Sequence, residues 1–176
     1  DHPIIVHVGR VTTPKNPQMI FEVFKEIVKI DLNAICLWVG TGELEEEYRL
    51  KIKREGLEKR IIMTGVRKDI TEILQASDCF LFPSLWEGLP VSVIEAQATG
   101  LPCVISDTIS KEVEVSNLVE WHNLNEPPSI WAERCLSLAV LSLKNRKSPT
   151  EEIRNAGYDI IKTADWLQQF YIDNSK

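Results

Sequence analysis

Residues 79–105 read CFLFPSLWEGLPVSVIEAQATGLPCVI. The apolar run at the start of this stretch is closed by Pro83, and Gly100 and Pro102 separate its middle from a second apolar run at 103–105. Glycine and proline at such places mark breaks between periodic elements. The stretch therefore predicts a strand, a loop, a helix, a turn and a second strand.

The same alternation of strands and helices extends toward the amino terminus. Short apolar runs precede loops, and the segments after those loops carry apolar residues at helical spacing. We predict further strands over residues 4–8, 34–39, 60–64 and 118–121. Strands that are apolar on both faces and alternate with helices indicate a parallel sheet covered on both sides. The predicted fold is α/β, a doubly wound parallel sheet of about six strands with helices on both faces.

Helix boundaries can be predicted from capping residues. Asn16 is placed to cap the first helix, with Pro17 at its first position. Gly56 is placed to stop the second helix, which we predict over residues 43–55. Asp69 is placed to cap a short third helix.

The carboxyl-terminal part of the chain is predicted to be helical. After Pro127 the pattern predicts helices over residues 130–143, 149–161 and 163–171. We interpret them as closing helices on the sheet, so that residues 1–176 form a single domain.

Composition and charge exclude some classes of protein. The chain has 176 residues, a formal net charge of −6 and a pI near 5.2, whereas a nucleic-acid-binding domain usually presents a basic face. Its apolar runs are shorter than a membrane span, and its start has no signal-peptide pattern. We therefore expect a soluble, cytoplasmic protein that binds no nucleic acid.

Cysteine and histidine spacing gives no support for a metal site. The cysteines, at positions 36, 79, 103 and 135, lie in separate apolar segments without Cys-x-x-Cys spacing. We expect buried free thiols. His7 lies in an apolar strand, and we interpret it as a core residue with its hydrogen bonds satisfied.

The segment from Glu87 to Glu95 carries the strongest indication of a ligand. Pro90 suits the first position of a helix, so the N–H groups of residues 91–93 would point from the helix start, where a phosphate binds well. Gly88 allows backbone to approach a ligand closely. Ionised carboxylates accept bonds from hydroxyl pairs. The combination suggests a nucleotide or a sugar nucleotide, although glutamates near a helix start are also common because they favour the helix dipole.

Two cations follow the first predicted strand. Arg10 comes directly after that strand and Lys15 lies just before the following helix, so both could converge on the sheet edge where Glu87 is expected. Arginine and lysine bind phosphate well. The alternative is a solvated surface pair. With the glutamates, the cations favour a site for a diphosphate.

An ordered set of motifs resembles the carboxyl-terminal half of a GT-B glycosyltransferase, in particular the retaining family called glycosyltransferase group 1 or family four. The resemblance covers about residues 4–172. It is carried by Val8-Gly9-Arg10 with Lys15-Asn16, residues 39–44, Gly65, Phe82-Pro83-Ser84, Glu87-Gly88-Leu89-Pro90, Glu95-Ala96 and Gly100-Leu101-Pro102. It implies a Rossmann-like domain that binds a nucleotide-sugar donor.

The resemblance also implies roles for individual residues. Arg10 and Lys15 match the basic pair that binds the donor diphosphate and stabilises the leaving nucleotide, and Glu87 matches the glutamate at the donor sugar. These three are the expected catalytic residues. Glu95 matches the glutamate that holds the ribose hydroxyls. The remaining expected donor contacts are Val66 and Arg67 at the base, and Gly88, Leu89, Pro90 and Val91 through their backbone.

The implied reaction is transfer of a sugar from a nucleotide-diphosphate sugar, with a UDP-sugar as the expected donor, to an acceptor hydroxyl with retention. The family uses no metal and no cofactor, which agrees with the absence of an Asp-x-Asp motif from this sequence. Many members carry an aromatic residue and a glycine where this chain has Leu89 and Pro90. The proline form resembles members that build capsular polysaccharides or exopolysaccharides.

A GT-B enzyme has a second domain that carries most of the acceptor site. This chain starts at the first strand of the donor domain, so we expect a fragment that is inactive alone. The expected partners are the absent amino-terminal domain and a lipid-linked or polysaccharide acceptor, with the full-length enzyme at the inner face of the membrane. Trp166, Phe170 and Tyr171 are expected either to contact the absent domain or to form local core.

The same residues disfavour one other function and leave two others open. A dinucleotide-binding oxidoreductase is disfavoured because Glu45 stands where the third glycine of Gly-x-Gly-x-x-Gly would follow Gly40 and Gly42. A non-catalytic nucleotide-sugar-binding module remains an alternative. So does another GT-B enzyme, such as a sugar-nucleotide epimerase or a phosphorylase.

Overall fold

The sheet confirms the predicted doubly wound architecture. The computed structural model describes residues 2–175, without the side chains of residues 144 and 145. Within that range a six-stranded, all-parallel sheet has the order β3-β2-β1-β4-β5-β6. Its strands are β1 Ile4–Val8, β2 Ile35–Val39, β3 Ile61–Gly65, β4 Cys79–Phe82, β5 Cys103–Ser106 and β6 Val119–His122. The order reverses at β1 and β4, and the loops beyond the carboxyl ends of such strands are where doubly wound sheets bind ligands.

Helices follow the strands and cover both faces of the sheet. They are α1 Pro17–Ile30, α2 Glu45–Arg54, α3 Ile70–Ala76, α4 Val91–Ala98, α5 Pro128–Asn145, α6 Thr150–Asn155 and α7 Ile160–Asn174. Short 3₁₀ turns span Thr13–Lys15 and Lys111–Val113.

Alternating strand residues build a core on each face. In β1, Ile5 belongs to the cluster under α1, α2 and α5, while Val6 belongs to the cluster under α3 and α4. In β4, Leu81 and Phe82 divide in the same way. A parallel strand that is buried on both faces must be apolar at successive positions, which explains the continuous apolar runs of the sequence.

Several predicted helix boundaries hold and others shift. Asn16 caps α1 through its side chain, with Pro17 at the first position as predicted. Pro90, predicted as the first helical residue, instead has extended backbone at ψ 96° and precedes α4, which begins at Val91. Asp69 stands before α3, but its carboxylate binds Arg67 and does not cap the helix. A local ion pair thus replaces the predicted cap.

The region after α5 differs most from the prediction. The helix predicted over 149–161 ends at Asn155 because Gly157 takes a positive φ of 91°, and Asp159 then caps α7 through its side chain. No side chain of α7 is buried within the described residues. Trp166, Phe170 and Tyr171 are all exposed, so the alternative that they form local core is wrong.

The remaining sequence-based expectations concern cysteines and membrane spans. All cysteines are buried and free, as predicted. None of the helices described in residues 2–175 combines the length and the apolar character needed to cross a membrane.

Candidate functional site

The loops after β1, β2 and β3 are tied together at the carboxyl edge of the sheet. The N–H of Gly9 donates to Val39 O at 2.9 Å, and the N–H of Gly40 donates to Gly65 O at 2.9 Å. Val11 N–H donates to the carbonyl oxygen of Thr41 at 3.1 Å. These backbone bonds hold the loop that carries Arg10 and Lys15 in a defined position.

Two glycines in the second loop make this close contact possible. A Cβ at Gly40, whose φ is +132°, would lie 2.0 Å from the carbonyl oxygen of Gly9. A Cβ at Gly42 would lie 2.3 Å from the carbonyl oxygen of Val11. Both positions therefore require glycine because any side chain would push the loops apart.

Lys15 and Glu87 form the centre of the candidate site. Lys15 Nζ lies 2.5 Å from Glu87 Oε1, with side chains only 17% and 18% exposed. The ammonium also lies 4.8 Å from the centre of the Phe82 ring. Both charges are mostly shielded from water, so each would be poorly solvated without the other. The ion pair therefore keeps the two side chains together.

The strand order produces this contact. β1 pairs directly with β4, so the loops that follow these strands are neighbours. Leu85 N–H donates to Pro14 O at 2.8 Å and joins the two loops. The carbonyl oxygen of Ser84 accepts from the hydroxyls of Ser106 and Thr108, so the strand after α4 supports the loop as well.

Arg10 lies at the same edge but turns outward. Its side chain is 78% exposed and its guanidinium lies 4.0 Å from the Glu43 carboxylate. The structure thus brings Lys15 together with Glu87 but leaves Arg10 beside Glu43. The sequence predicts that both cations converge near Glu87. The exposed position leaves the guanidinium free to rotate toward a ligand because a surface ion pair is weak.

The start of α4 offers backbone donors beside Glu87. Val93 N–H donates to Pro90 O at 3.0 Å, so one of the three N–H groups expected to be free is used within the turn. Gly88, Leu89 and Val91 are exposed, whereas Pro90 is buried. The loop therefore presents backbone and small apolar groups toward solvent next to the Lys15–Glu87 pair.

Glu95 faces solvent from the second turn of α4. It borders a groove of about 350 Å³ between α3 and α4, which is also lined by Ile70 and Thr71. Partial burial raises the pKa of its carboxyl above the usual value. A carboxylate in this position is accessible to a hydroxyl-bearing ligand.

Val66 and Arg67 occupy the loop after β3. Val66 is exposed, and the guanidinium of Arg67 binds both carboxylate oxygens of Asp69. The hydrogen-bonded pairing raises the pKa of Arg67 and lowers that of Asp69. The structure places both residues at the carboxyl edge of the sheet, separated from Glu87 by the loops after β2 and β1 in the order of the strands.

His7 is a polar residue of this edge whose environment differs from the sequence-based interpretation. Its Nδ1 lies 3.0 Å from Leu81 O, but Nε2 has no hydrogen-bond partner among the described residues. Only half of the imidazole is satisfied. The pKa of His7 is lowered to about 4, mainly by burial and also by the nearby charge of Lys15, while the contact with Leu81 O opposes the shift. The available signal was its position two residues before Gly9, at the end of a strand.

A doubly wound parallel sheet with charged side chains beyond the carboxyl ends of β1 and β4 defines a Rossmann-like domain, a class that binds ligands at this edge. Residues 2–139 match the family model of glycosyl transferases group 1. The chain belongs to this family, and the predicted family is thereby confirmed.

Curated relatives agree with the family match. The chain is 33% identical over 182 residues to the UDP-Gal:alpha-D-GlcNAc-diphosphoundecaprenol alpha-1,3-galactosyltransferase of Escherichia coli, covering 97% of this chain and 45% of that protein. It is 28% identical to the capsular polysaccharide biosynthesis glycosyltransferase CapH of Staphylococcus aureus, covering 97% of this chain and 48% of that protein. The chain thus spans about half the length of these relatives.

Solved structures show the same fold. The structure of Anabaena Alr3699/HepE in complex with UDP-glucose superposes on this chain with a TM-score of 0.77 at 18% identity. The match covers 98% of this chain and 49% of the HepE chain. The structure of TarM superposes with a TM-score of 0.73 at 22% identity, and the match covers 96% of this chain and 35% of the TarM chain.

Proposed function

We propose that this chain is the donor-binding half of a retaining glycosyltransferase that transfers a sugar from a UDP-sugar to an acceptor hydroxyl. The observation that carries the proposal is the Lys15–Glu87 pair at the carboxyl edge of the sheet, in a chain that belongs to the group 1 family. The relatives support UDP as the nucleotide, since one is named for UDP-Gal and a structural neighbour was crystallised with UDP-glucose.

In this proposal the donor diphosphate binds above β1 and β4. Lys15 contacts it directly, Arg10 swings inward from Glu43, and the free N–H groups at the start of α4 add partial positive charge. Catalysis rests on stabilising the charge of the departing diphosphate, without a metal ion. Glu87 is released from Lys15 as the diphosphate binds, and then accepts hydrogen bonds from hydroxyls of the donor sugar.

The nucleoside part of the donor extends toward β3. Glu95, which borders the groove between α3 and α4, accepts from the ribose hydroxyls. The loop at Val66 and Arg67, after β3, contacts the base. The backbone of Gly88, Leu89 and Val91 contacts sugar and phosphate. Pro90 offers no N–H, so its contribution is limited to shaping the loop.

The whole enzyme contains a second, amino-terminal domain that carries the acceptor site. The chain spans about half of its relatives, and α7 exposes Trp166, Phe170 and Tyr171 without covering them by its own residues in the described structure. These aromatic side chains pack on the absent domain. The acceptor is a lipid-linked or polysaccharide sugar, as the names of the relatives suggest, so the enzyme works at the inner face of the membrane.

Calorimetry of the 176-residue chain with UDP in EDTA-containing buffer tests donor binding. We expect UDP to bind weakly, and Lys15→Ala or Glu95→Ala to weaken binding by about 1.5–3 kcal/mol each, because each removes charge-assisted hydrogen bonds. Lys29→Ala, at an exposed pair with Glu26 on α1, is the matched control and should leave affinity unchanged. Unchanged affinity in both site variants would show that the site is misassigned.

A second measurement tests the need for another domain. UDP release from UDP-glucose and UDP-galactose should not exceed the buffer rate with this chain alone, even though UDP binds. Release at an enzymatic rate would contradict the proposed division of the active site between two domains.

A further inference from the structure

The imidazole of His7 is held in one orientation and one tautomer. Its Nδ1 lies 3.0 Å from the carbonyl oxygen of Leu81, which can only accept, so Nδ1 carries the proton. The ring also stacks on Phe82 with 5.6 Å between ring centres. Nε2 is then a fully buried acceptor without a hydrogen-bond partner among the described residues.

The free Nε2 borders the space above Gly9 that Lys15 also reaches. A Cβ added at Gly9 would lie 2.9 Å from His7 Nε2 and 3.4 Å from Lys15 Cε. A nitrogen in that space would be at hydrogen-bond distance from Nε2. Rotation about the Cδ–Cε bond of Lys15 swings Nζ on a C–N bond of about 1.5 Å. The ammonium can thus leave Glu87 by a side-chain rotation beside the space that His7 Nε2 borders, without movement of the backbone.

We infer that His7 is a positioning residue for Lys15: its Nε2 accepts one N–H of the Lys15 ammonium when the donor diphosphate and sugar take over from the Lys15–Glu87 pair. The inference rests on the proposed function, because it needs a ligand that separates Lys15 from Glu87. A neutral acceptor suits this role since it holds the ammonium without competing with phosphate for its charge.

The chemistry of the buried ring supports this role over simple packing. An unpaired buried acceptor destabilises a fold relative to an apolar side chain of the same shape. Phenylalanine or leucine would fill the space against Phe82 and Trp38 without that penalty. Burial also keeps the imidazole neutral at physiological pH, because the pKa of His7 is lowered to about 4. The ring therefore remains an acceptor over the working pH range.

A double-mutant cycle with UDP as the probe separates positioning from packing. His7→Asn keeps a donor for Leu81 O but places no acceptor near Gly9, whereas His7→Gln can present an acceptor there. We expect His7→Asn to weaken UDP binding about tenfold, His7→Gln to recover part of that loss, and His7→Asn to have no further effect in a Lys15→Ala background. Urea unfolding of each variant establishes that it is folded.

Nitrogen-15 NMR of the wild-type chain provides a test that does not depend on a variant. His7 Nε2 should resonate as an unprotonated nitrogen, and UDP should shift it upfield as it accepts a hydrogen bond from Lys15. An Nε2 resonance that UDP leaves in place would overturn the inference, as would an equal effect of His7→Asn with and without Lys15. If UDP binds and Lys15→Ala weakens it while His7→Asn does not, the role of His7 fails and the proposed function stands. If wild type binds no UDP, both fail.

Discussion

Gly40→Ala should destabilise the chain because the loops after β1 and β2 touch at this residue. The new Cβ would lie 2.0 Å from the carbonyl oxygen of Gly9, where ordinary contacts begin at 3.4 Å, and Gly40 has a φ of +132° that alanine rarely adopts. Relieving the overlap requires a backbone shift that breaks the hydrogen bonds from Gly9 to Val39 and from Gly40 to Gly65. Backbone strain of about 1–3 kcal/mol and two bonds of about 1 kcal/mol each give a loss of about 3–5 kcal/mol.

Urea unfolding measures this loss, with Gly56→Ala as the matched control. Gly56 also has a positive φ, of +69°, but an added Cβ there meets nothing within 4 Å. It should cost only the conformational penalty of about 1–2 kcal/mol. Free energies of unfolding for the two variants that agree within about 1 kcal/mol would refute the argument that close contact between the loops requires Gly40.

Two further predictions concern stability. Arg146 joins the ends of α3 and α4, because it donates to the carbonyl oxygens of Leu74, Gln75, Ser77 and Thr99. In urea unfolding, Arg146→Ala should lower the free energy of unfolding by about 3 kcal/mol and Arg146→Lys by about half as much. A loss no larger than that of the exposed control Arg154→Ala would contradict this prediction. In the folded chain the pKa of His7 is lowered from 6.5 to about 4. Between these two pH values the unfolded chain binds more protons than the folded chain. The free energy of unfolding should therefore fall as pH drops below 6.5, by at most about 1.4 kcal/mol per pH unit. Unfolding at about pH 7 and about pH 5 should show a smaller pH dependence in His7→Asn, and an unchanged dependence would disprove the shift.

Most of the fold was predictable because the spacing of apolar residues along the chain shows which faces of each strand and helix are buried. Strands buried on both faces require continuous apolar runs, and Asn16 with Pro17 marks the start of α1. Predicted boundaries were wrong where a competing local ion pair or a glycine with positive φ decided them. Asp69 pairs with Arg67, so its side chain does not cap α3. Gly157, with a positive φ, interrupts the segment that the apolar spacing predicted to be helical up to residue 161.

The position of the candidate residues at one edge of the sheet was predictable, but their contacts were not. Glycines and charged residues after each strand indicated the binding edge, because every loop beyond the carboxyl end of a parallel strand lies there. The outward turn of Arg10 toward Glu43 had no local signal, and the position of His7 before Gly9 did not reveal its unpaired Nε2. Both depend on side chains from other strands and loops.

The sequence by itself determined the α/β class, the family and the loops that carry the candidate site, because these follow from periodicity, turn residues and ordered motifs along the chain. Only the tertiary structure decided that Lys15 meets Glu87, that Arg10 does not, and that His7 borders the space beside Lys15. The physical reason is the order of the sheet. Pairing of β1 with β4 brings together loops that are distant along the chain, and local sequence preferences do not encode that adjacency.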